Sequence, residues 1–154
     1  MQDQTLKVQK IKNGIVIDHI PCGMALKVLK ILSIEGDIGS TVTLAMHVKS
    51  KNGWKDIVKI EDRKLDEREI DKISLIAPSA TVNVIENYNV VEKHHVKIPE
   101  KVKGIVKCMN PRCITNQNEP VVPEFSVIST EPIIIKCRYC GREMKSKDII
   151  ENII

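Results

Sequence analysis

The sequence is poor in aromatic residues, with one Trp, two Tyr and one Phe among 154 residues. Ile, Val and Leu must therefore fill any hydrophobic core. The chain also lacks an apolar run approaching the roughly 18 residues that a membrane span needs. Its first residues, Met1-Gln2-Asp3-Gln4, do not have the charged and then apolar pattern of a signal peptide. These absences predict a cytoplasmic protein without a membrane partner.

The charge is not concentrated in either half of the chain. Residues 1–98 carry 15 basic and 13 acidic groups, and residues 99–154 carry 9 and 7, for a formal net charge of +4. A protein that binds a nucleic-acid polymer usually carries a strong basic excess on one face. The balance therefore argues against such a partner, and the 29% of charged residues favours a soluble protein of one or two small domains.

Four of the five cysteines form two closely spaced pairs. Cys108 and Cys113 enclose a loop of four residues, and Cys137 and Cys140 enclose one of two. Such pairs suit one tetrahedral Zn²⁺ held by four thiolates, which leaves no position for water or substrate and makes the site structural. Two disulfides are the alternative interpretation of the same pattern. We expect the fifth cysteine, Cys22, to be a small buried apolar residue.

Residues 1–98 predict the order strand, helix, strand, strand, helix, strand. The first helix should open at Pro21 and end at Gly36, because Ala25, Val28, Leu29 and Leu32 form one apolar face. Asn52-Gly53 is typical of a hairpin turn. The second helix should begin after Asp66 and stop at Pro78. The predicted strands are Thr5–Ile11 continuing to Ile15–Asp18, Val42–Val48, Lys55–Ile60, Thr81–Ile85 and Asn89–Lys93.

This element order predicts an α+β fold with two domains. Residues 1–98 should form a ferredoxin-like domain, an antiparallel sheet with two helices on one face. Pro99 marks the boundary. Residues 99–154 should form a small all-β domain resembling a zinc ribbon, with strands near Lys103–Lys107, Glu124–Ser129 and Ile133–Lys136. About 55 residues rarely fold alone without a staple such as a metal.

No catalytic constellation is apparent, but several polar groups lie on or beside strands of the first domain. They are Asp18, His19, Lys55, Lys59, Asn83 and Lys93. If the first and last strands are close, Asp18, His19 and Lys93 could meet at one edge of the sheet. A carboxylate beside cationic groups can bind a ribose and a phosphate, although a solvated charged rim is the simpler interpretation. We expect His47, His94 and His95 to be surface or half-buried residues.

Several runs resemble the regulatory chain of aspartate carbamoyltransferase, and together they span Val8 to Cys140. The runs are Gly14–Pro21 (GIVIDHIP), Lys55–Glu61 (KDIVKIE), Ala77–Asn83 (APSATVN), Asn87-Tyr88 and the two cysteine pairs. The resemblance implies an N-terminal domain that binds nucleotide effectors. It also implies a C-terminal domain that holds one structural Zn²⁺ through Cys108, Cys113, Cys137 and Cys140 and contacts the catalytic chain.

The resemblance also assigns roles to residues at matching positions. Asp18 should hold the ribose, His19 should lie near the phosphates, and Lys93 should contact both. Lys59 should contact the base. The residues expected to border the base or complete the wall are Val8, Gln9, Ile11, Asn83, Ile85, Tyr88 and Val90. Lys55 should lie nearby.

The function that follows is a non-catalytic regulatory subunit in pyrimidine biosynthesis that binds CTP, ATP or related nucleotides such as UTP. Its allosteric domains should pair into homodimers, and three dimers should bridge two catalytic trimers. A zinc-ribbon protein that binds nucleic acid is the alternative, but it needs a basic face with interleaved aromatic residues. A metal hydrolase is less favoured, because four thiolates leave no open coordination position.

Overall fold

The computed structural model describes residues 10–154, which separate into two compact units. The first unit contains the described residues up to Asp66 together with Ser79–Val96, and the second contains Glu67–Pro78 and Lys97–Ile154. The strands of the first unit are β1 Gly14–Pro21, β2 Val42–Ser50, β3 Gly53–Glu61, β4 Thr81–Glu86 and β5 Asn89–His95, and its helix is α1 Ala25–Ile31. The second unit contains α2 Glu67–Ile76, β6 Lys101–Lys103, a 3₁₀ turn Ile114–Asn116, β7 Glu124–Thr130, β8 Ile133–Cys137, β9 Glu143–Lys145 and α3 Ser146–Glu151.

The five strands of the first unit form one antiparallel sheet in the order β2-β3-β1-β4-β5. The predicted order strand, helix, strand, strand, helix, strand is found as far as β4, and β5, near the predicted Asn89–Lys93, follows as a fifth strand. The hairpin at Asn52-Gly53 joins β2 to β3 with Ser50 opposite Gly53. Residues alternate between the two faces of the sheet. One face is a core of buried aliphatic side chains, namely Ile15, Ile17, Val58, Ile60 and Val82. The opposite face does not contain this core, so its side chains can contact a ligand.

Helix α1 is shorter than its apolar periodicity predicts. Pro21 closes β1 instead of opening the helix, which starts only at Ala25 after a turn in which the Met24 N–H donates to the Pro21 carbonyl at 3.0 Å. At the other end Ser33 takes a left-handed φ of 58°, and the Ile34 N–H donates to the Leu29 carbonyl at 2.9 Å. This closing arrangement ends the helix before Gly36.

Helix α2 begins directly after Asp66 and ends before Pro78, as predicted. Although it lies in sequence between β3 and β4, it belongs to the second compact unit. There it packs against α3, and Leu75 joins the core of that unit. The chain therefore passes from one unit to the other three times, after Asp66, after Pro78 and after Val96.

The second unit is built on a four-stranded antiparallel sheet in the order β6-β7-β8-β9. Its core includes Phe125, Ile135, Met144 and Ile149, all completely buried. The strands at Glu124 and Ile133 were predicted, but the strand predicted near Lys103–Lys107 lies earlier, at Lys101–Lys103, because the chain turns at Gly104 with a left-handed φ of 73°. Strand β9 and helix α3 were not predicted, because three and six residues are too short for a periodic pattern to be recognised. The all-β domain with clustered cysteines is confirmed.

One glycine fixes where β1 begins. Gly14 has a φ of +142°, and a Cβ placed there would lie 2.2 Å from the carbonyl oxygen of Ile60. Only glycine permits this backbone and this approach of β1 to β3. Within residues 10–154, no helix is both long enough and apolar enough to cross a membrane.

Candidate functional sites: a cysteine cluster and a polar sheet face

The four paired cysteines meet at one point of the second unit. Their Sγ atoms all lie within 4.8 Å of one another, with Cys108 3.6 Å from Cys140 and Cys113 3.7 Å from Cys137. Four thiolates about 2.3 Å from a tetrahedral zinc would be separated by about 3.8 Å. All five cysteines of the chain are free, so the two disulfides considered as an alternative are not formed. The geometry fits a single metal ion bound by four sulfurs.

The first cysteine loop is held in shape by amide side chains. The Asn116 side-chain NH₂ donates to the carbonyls of Cys108 at 2.8 Å and Asn110 at 2.7 Å. The Asn110 side-chain oxygen in turn accepts from the Arg112 N–H at 3.0 Å. Next to these, the Thr115 hydroxyl donates to the Cys113 sulfur at 3.2 Å. Such outer contacts orient metal ligands before the metal arrives.

The second cysteine pair lies where β8 ends in a tight turn. The Cys137 N–H donates to the Arg142 carbonyl at 2.9 Å, and the Gly141 N–H donates back to the Cys137 carbonyl at 3.0 Å. Gly141 has a φ of 75°, a left-handed conformation that glycine adopts without steric cost. The turn brings Cys140 back beside Cys137.

The pKa values of the thiols in the cluster are shifted in opposite directions. Burial raises the pKa of Cys108 and of Cys137 above the ordinary thiol value. Burial acts in the same direction on Cys140, but hydrogen bonds from the Arg142 backbone and the Asn110 side chain outweigh it and lower the pKa of Cys140 to about 7. Thiolates are the metal ligands, so a cation must displace the protons of the two buried thiols when it binds.

The exposed face of the first sheet carries a row of polar residues at matching register. Lys59 on β3 is opposite Val16 on β1, Val16 is opposite Asn83 on β4, and Asn83 is opposite Lys93 on β5. Directly opposed residues share a face, so Lys59, Asn83 and Lys93 lie on the face that does not contain the aliphatic core. The row crosses four strands, or about 14 Å at normal strand spacing.

Asp18 lies on the same face, two residues beyond Val16. Its Oδ1 atom is 2.9 Å from the Lys55 ammonium, and the side chain is only 23% exposed. The backbone N–H of His19, which has a left-handed φ of 59°, donates to Asp18 Oδ1 at 2.6 Å. The His19 ring lies with its Nδ1 atom 3.2 Å from the Thr81 hydroxyl. A carboxylate, an ammonium and an imidazole therefore meet at this position.

The electrostatics of the face centre on Lys59. Burial lowers the pKa of Lys59, the negative charge of Asp18 opposes this shift, and the positive charge of Lys10 adds to it. The charges of Lys10 and Asp18 therefore both affect the protonation of the Lys59 ammonium. A half-buried lysine beside such charges is a good donor to a polar ligand.

The other residues singled out in the sequence have more varied positions. Ile85 is opposite both Gly14 and Val90, at the far end of the same face. Tyr88 lies in the turn between β4 and β5, where its side chain is 58% exposed and its N–H donates to the Lys12 carbonyl. Ile11 is buried. Val8 and Gln9, like the predicted strand at Thr5, lie outside the described residues.

Two sequence-based expectations about individual polar and cysteine residues are wrong. Strand β1 is central and β4 separates it from β5, so Asp18 and Lys93 share a face of the sheet and do not meet at its edge. Cys22 is exposed and not buried, because it lies in the turn that follows Pro21, with its Sγ atom 3.2 Å from His47 Nδ1. The histidines on β2 and β5 are exposed, as expected.

The sequence analysis also missed residues that support the two sites. Thr81 lies two residues before Asn83 and contacts His19 from a position that is almost completely buried. Asn116 and Thr115 follow Cys113 directly and contact the metal loop. Their closeness in sequence to recognised residues was the only signal, and hydroxyl and amide side chains are too common on surfaces to stand out.

Comparison with known proteins covers nearly the whole chain. Residues 6–97 match the family "Aspartate carbamoyltransferase regulatory chain, allosteric domain", and residues 100–150 match "Aspartate carbamoyltransferase regulatory chain, metal binding domain". Similar curated proteins carry the name aspartate carbamoyltransferase regulatory chain. One from Thermoplasma volcanium is 52% identical over 98% of this chain and 100% of its own length. One from Saccharolobus solfataricus is 51% identical over 97% of this chain and 94% of its own length.

Proposed function

The chain belongs to the aspartate carbamoyltransferase regulatory chain family, and we propose that it binds nucleotide effectors on the polar face of its first sheet and Zn²⁺ through its four clustered cysteines. As a regulatory chain it is a non-catalytic subunit that acts with a catalytic chain. The proposed effectors are CTP, ATP and related nucleotides such as UTP. An effector would act on the catalytic chain only by binding more tightly to one state of the complex than to the other. The coupling free energy between two such sites is typically about 1–3 kcal/mol.

The shared face of Asp18, Lys59 and Lys93 is the observation that supports nucleotide binding. Register across three neighbouring strand pairs puts a lysine at each end of one row, with a carboxylate beside its middle. A carboxylate accepts from ribose hydroxyls, and ammonium groups donate to phosphates and to polar atoms of a base. In this proposal Asp18 binds the ribose with His19 near the phosphates, Lys93 contacts ribose and phosphates, and Lys59 contacts the base.

The remaining residues of the proposed nucleotide site would form its walls. They are Val8, Gln9, Ile11, Asn83, Ile85, Tyr88 and Val90. Asn83 is suited to this because it lies between Lys59 and Lys93 in the same row, although its own side-chain NH₂ donates weakly to the Val16 carbonyl at 3.3 Å. Ile85 and Val90 are paired on that face and offer apolar contact to a base.

Zn²⁺ is the metal that best suits the cysteine cluster. Four thiolates at tetrahedral separations favour a soft or borderline cation, and they leave no open position for chemistry. When bound, the metal would supply folding free energy by joining the two cysteine loops. The chain's contribution is the prior arrangement of both loops, through Asn116 in the first and Gly141 in the second.

The proposed assembly contains three regulatory dimers between two catalytic trimers. β2 is an edge strand of the first sheet, so its outer backbone groups are suited to pairing with a second copy across a two-fold axis. The metal domain would contact the catalytic chain. The connection through α2 supports coupling, because this helix of the second unit follows β3 and precedes β4, the strands that carry Lys59 and Asn83.

Isothermal titration of the metal-loaded chain with CTP and with ATP tests the nucleotide proposal. Lys93→Ala should weaken binding about 10- to 100-fold, because a charge-assisted contact contributes roughly 1.5–3 kcal/mol. Lys27→Ala, which removes an exposed lysine of α1, is the matched control and should leave affinity unchanged. If the unmodified chain bound neither nucleotide, or if Lys93→Ala bound both normally, the proposal would be wrong.

A further inference from the structure

The four sulfurs of the cysteine cluster differ in their access to solvent. Cys140 is exposed. The other three cysteines are buried, with 1% to 2% of their surface exposed, and they are Cys108, Cys113 and Cys137. Apart from its chain neighbours, a Cβ placed on Gly141 would meet only the end of the Lys136 side chain within 4 Å. The outer side of this turn is therefore open, and a reagent in solution can reach the Cys140 sulfur directly.

The loop that carries two of the buried sulfurs is also enclosed by hydrogen bonds. The Thr115 hydroxyl donates to the Cys113 sulfur at 3.2 Å. The Asn116 side chain holds the same loop through two backbone carbonyls, at 2.8 Å and 2.7 Å. A reagent could reach these sulfurs only after the loop had opened. The Cys140 sulfur, on the other loop, is accessible without such an opening.

Metal binding keeps the sulfurs of such a cluster as thiolates, which are the nucleophilic form of cysteine. A thiolate attacks a disulfide at one of its two sulfurs and forms a mixed disulfide. At Cys140 this step forms a bond between Sγ and one sulfur of the reagent, and the sulfur–sulfur bond of the reagent breaks. The second sulfur leaves as a thiolate and takes a proton from water. Oxidation of the cysteine sulfur is thus balanced by reduction of the leaving sulfur.

We propose that Cys140 is a modification site of the metal cluster, at which small disulfides react first and thereby release the metal. This inference rests on the proposed binding of Zn²⁺ by the four cysteines. A mixed disulfide at Cys140 would leave only three sulfurs for the metal, so metal affinity would fall. Because a thiol reductant reverses such a modification, the loss of metal would be reversible as well.

The test uses the metal-loaded full chain with Cys22→Ser, because Cys22 is the exposed cysteine outside the cluster. Dithiodipyridine, a small disulfide, is added below one equivalent while a chromogenic chelator reports released metal. Acid then stops the exchange by protonating thiolates. In chains with a single adduct, peptide mapping should find Cys140 modified at least about tenfold more often than each buried cysteine, because reactivity follows exposure.

Metal release provides the second measurement. One metal ion should leave for each chain modified at Cys140, and dithiothreitol should remove the adduct and allow the metal to bind again. The chain that retains Cys22 is the matched control. An adduct on Cys22 should release no metal, because this residue is not part of the cluster.

The outcomes separate this inference from the metal site on which it rests. If elemental analysis showed that the chain binds no metal, the proposed Zn²⁺ site and this inference would both be wrong. If the metal were bound, but single adducts lay mainly on a buried cysteine or were spread evenly over all four, only this inference would be wrong. A chain that kept its metal after modification of Cys140 would also contradict the inference and leave the metal site intact.

Discussion

Replacing Cys137 by Ser should release the metal and unfold the second unit while the first unit stays folded. Cys137 is the last residue of β8 and is buried, with its Sγ atom 3.7 Å from that of Cys113. A serine hydroxyl cannot supply a thiolate, so the site would keep three sulfurs and gain an open position. The two cysteine loops would no longer be joined firmly through one ion.

The size of the effect follows from comparing two free energies. The core of a domain with fewer than about 80 residues rarely contributes more than about 3–5 kcal/mol to its own stability. Structural zinc sites contribute about 10–16 kcal/mol to the folding of small domains at neutral pH. Even a partial loss of the metal term therefore exceeds what Phe125, Ile135 and Met144 can supply by packing.

The first unit provides an internal reference, because the only tryptophan of the chain, Trp54, lies on β3. Its fluorescence should be unchanged in Cys137→Ser, and nucleotide titration should still give binding. Metal per chain, measured by elemental analysis, should fall below that of the unmodified chain. Gel filtration should show no assembly with the catalytic chain.

Cys22→Ser is the matched control, since Cys22 belongs to the first unit and is not part of the cysteine cluster. It should keep its full metal content and should assemble normally. Undiminished metal in Cys137→Ser would refute the ligand assignment. Loss of nucleotide binding in that variant would instead refute the independence of the two units.

Three further predictions concern the metal loops and the start of β1. Metal affinity should fall as the pH decreases from 8 to 6. Because the pKa values of Cys108 and Cys137 are raised, metal binding should release at least two protons per ion. Calorimetric titration in buffers of different ionisation enthalpy measures the number of protons released. Asn116→Ala should speed metal release to a chelator about tenfold or more by freeing two carbonyls of the first loop. Gly14→Ala should destabilise the first unit by at least about 2 kcal/mol in urea unfolding and more than Gly53→Ala, whose added Cβ meets no atom within 4 Å.

Local patterns were sufficient to predict much of the fold and the metal cluster. The spacing of Cys108, Cys113, Cys137 and Cys140 predicted one site because short loops limit where the sulfurs can go. The Asn52-Gly53 turn predicted the hairpin because few residues adopt its backbone conformation. These signals act over a few residues, so tertiary contacts do not override them.

Features that depend on residues distant in sequence could not be predicted. Whether Asp18 and Lys93 share an edge or a face depends on the strand order, which no local pattern specifies. Apolar periodicity could not exclude a turn between Pro21 and Ala25, because that turn is held by Asp56 from β3. The Asp56 carboxylate is completely buried and accepts from the N–H groups of Gly23 at 2.8 Å and Ala25 at 3.1 Å. The exposure of Cys22 follows from the same turn.

The placement of α2 has a consequence for how such a chain can be divided or recombined. A gene cut near Pro99 would separate the two sequence domains, yet the N-terminal fragment would keep α2 without α3 and without the core that Leu75 joins. The fragment would expose an apolar helix surface and become prone to aggregation and proteolysis, while the C-terminal fragment would have a gap in its core. A metal domain exchanged between relatives at that point would thus arrive without the helix that completes it. The smallest part of this protein that can be exchanged intact is therefore the pair of domains.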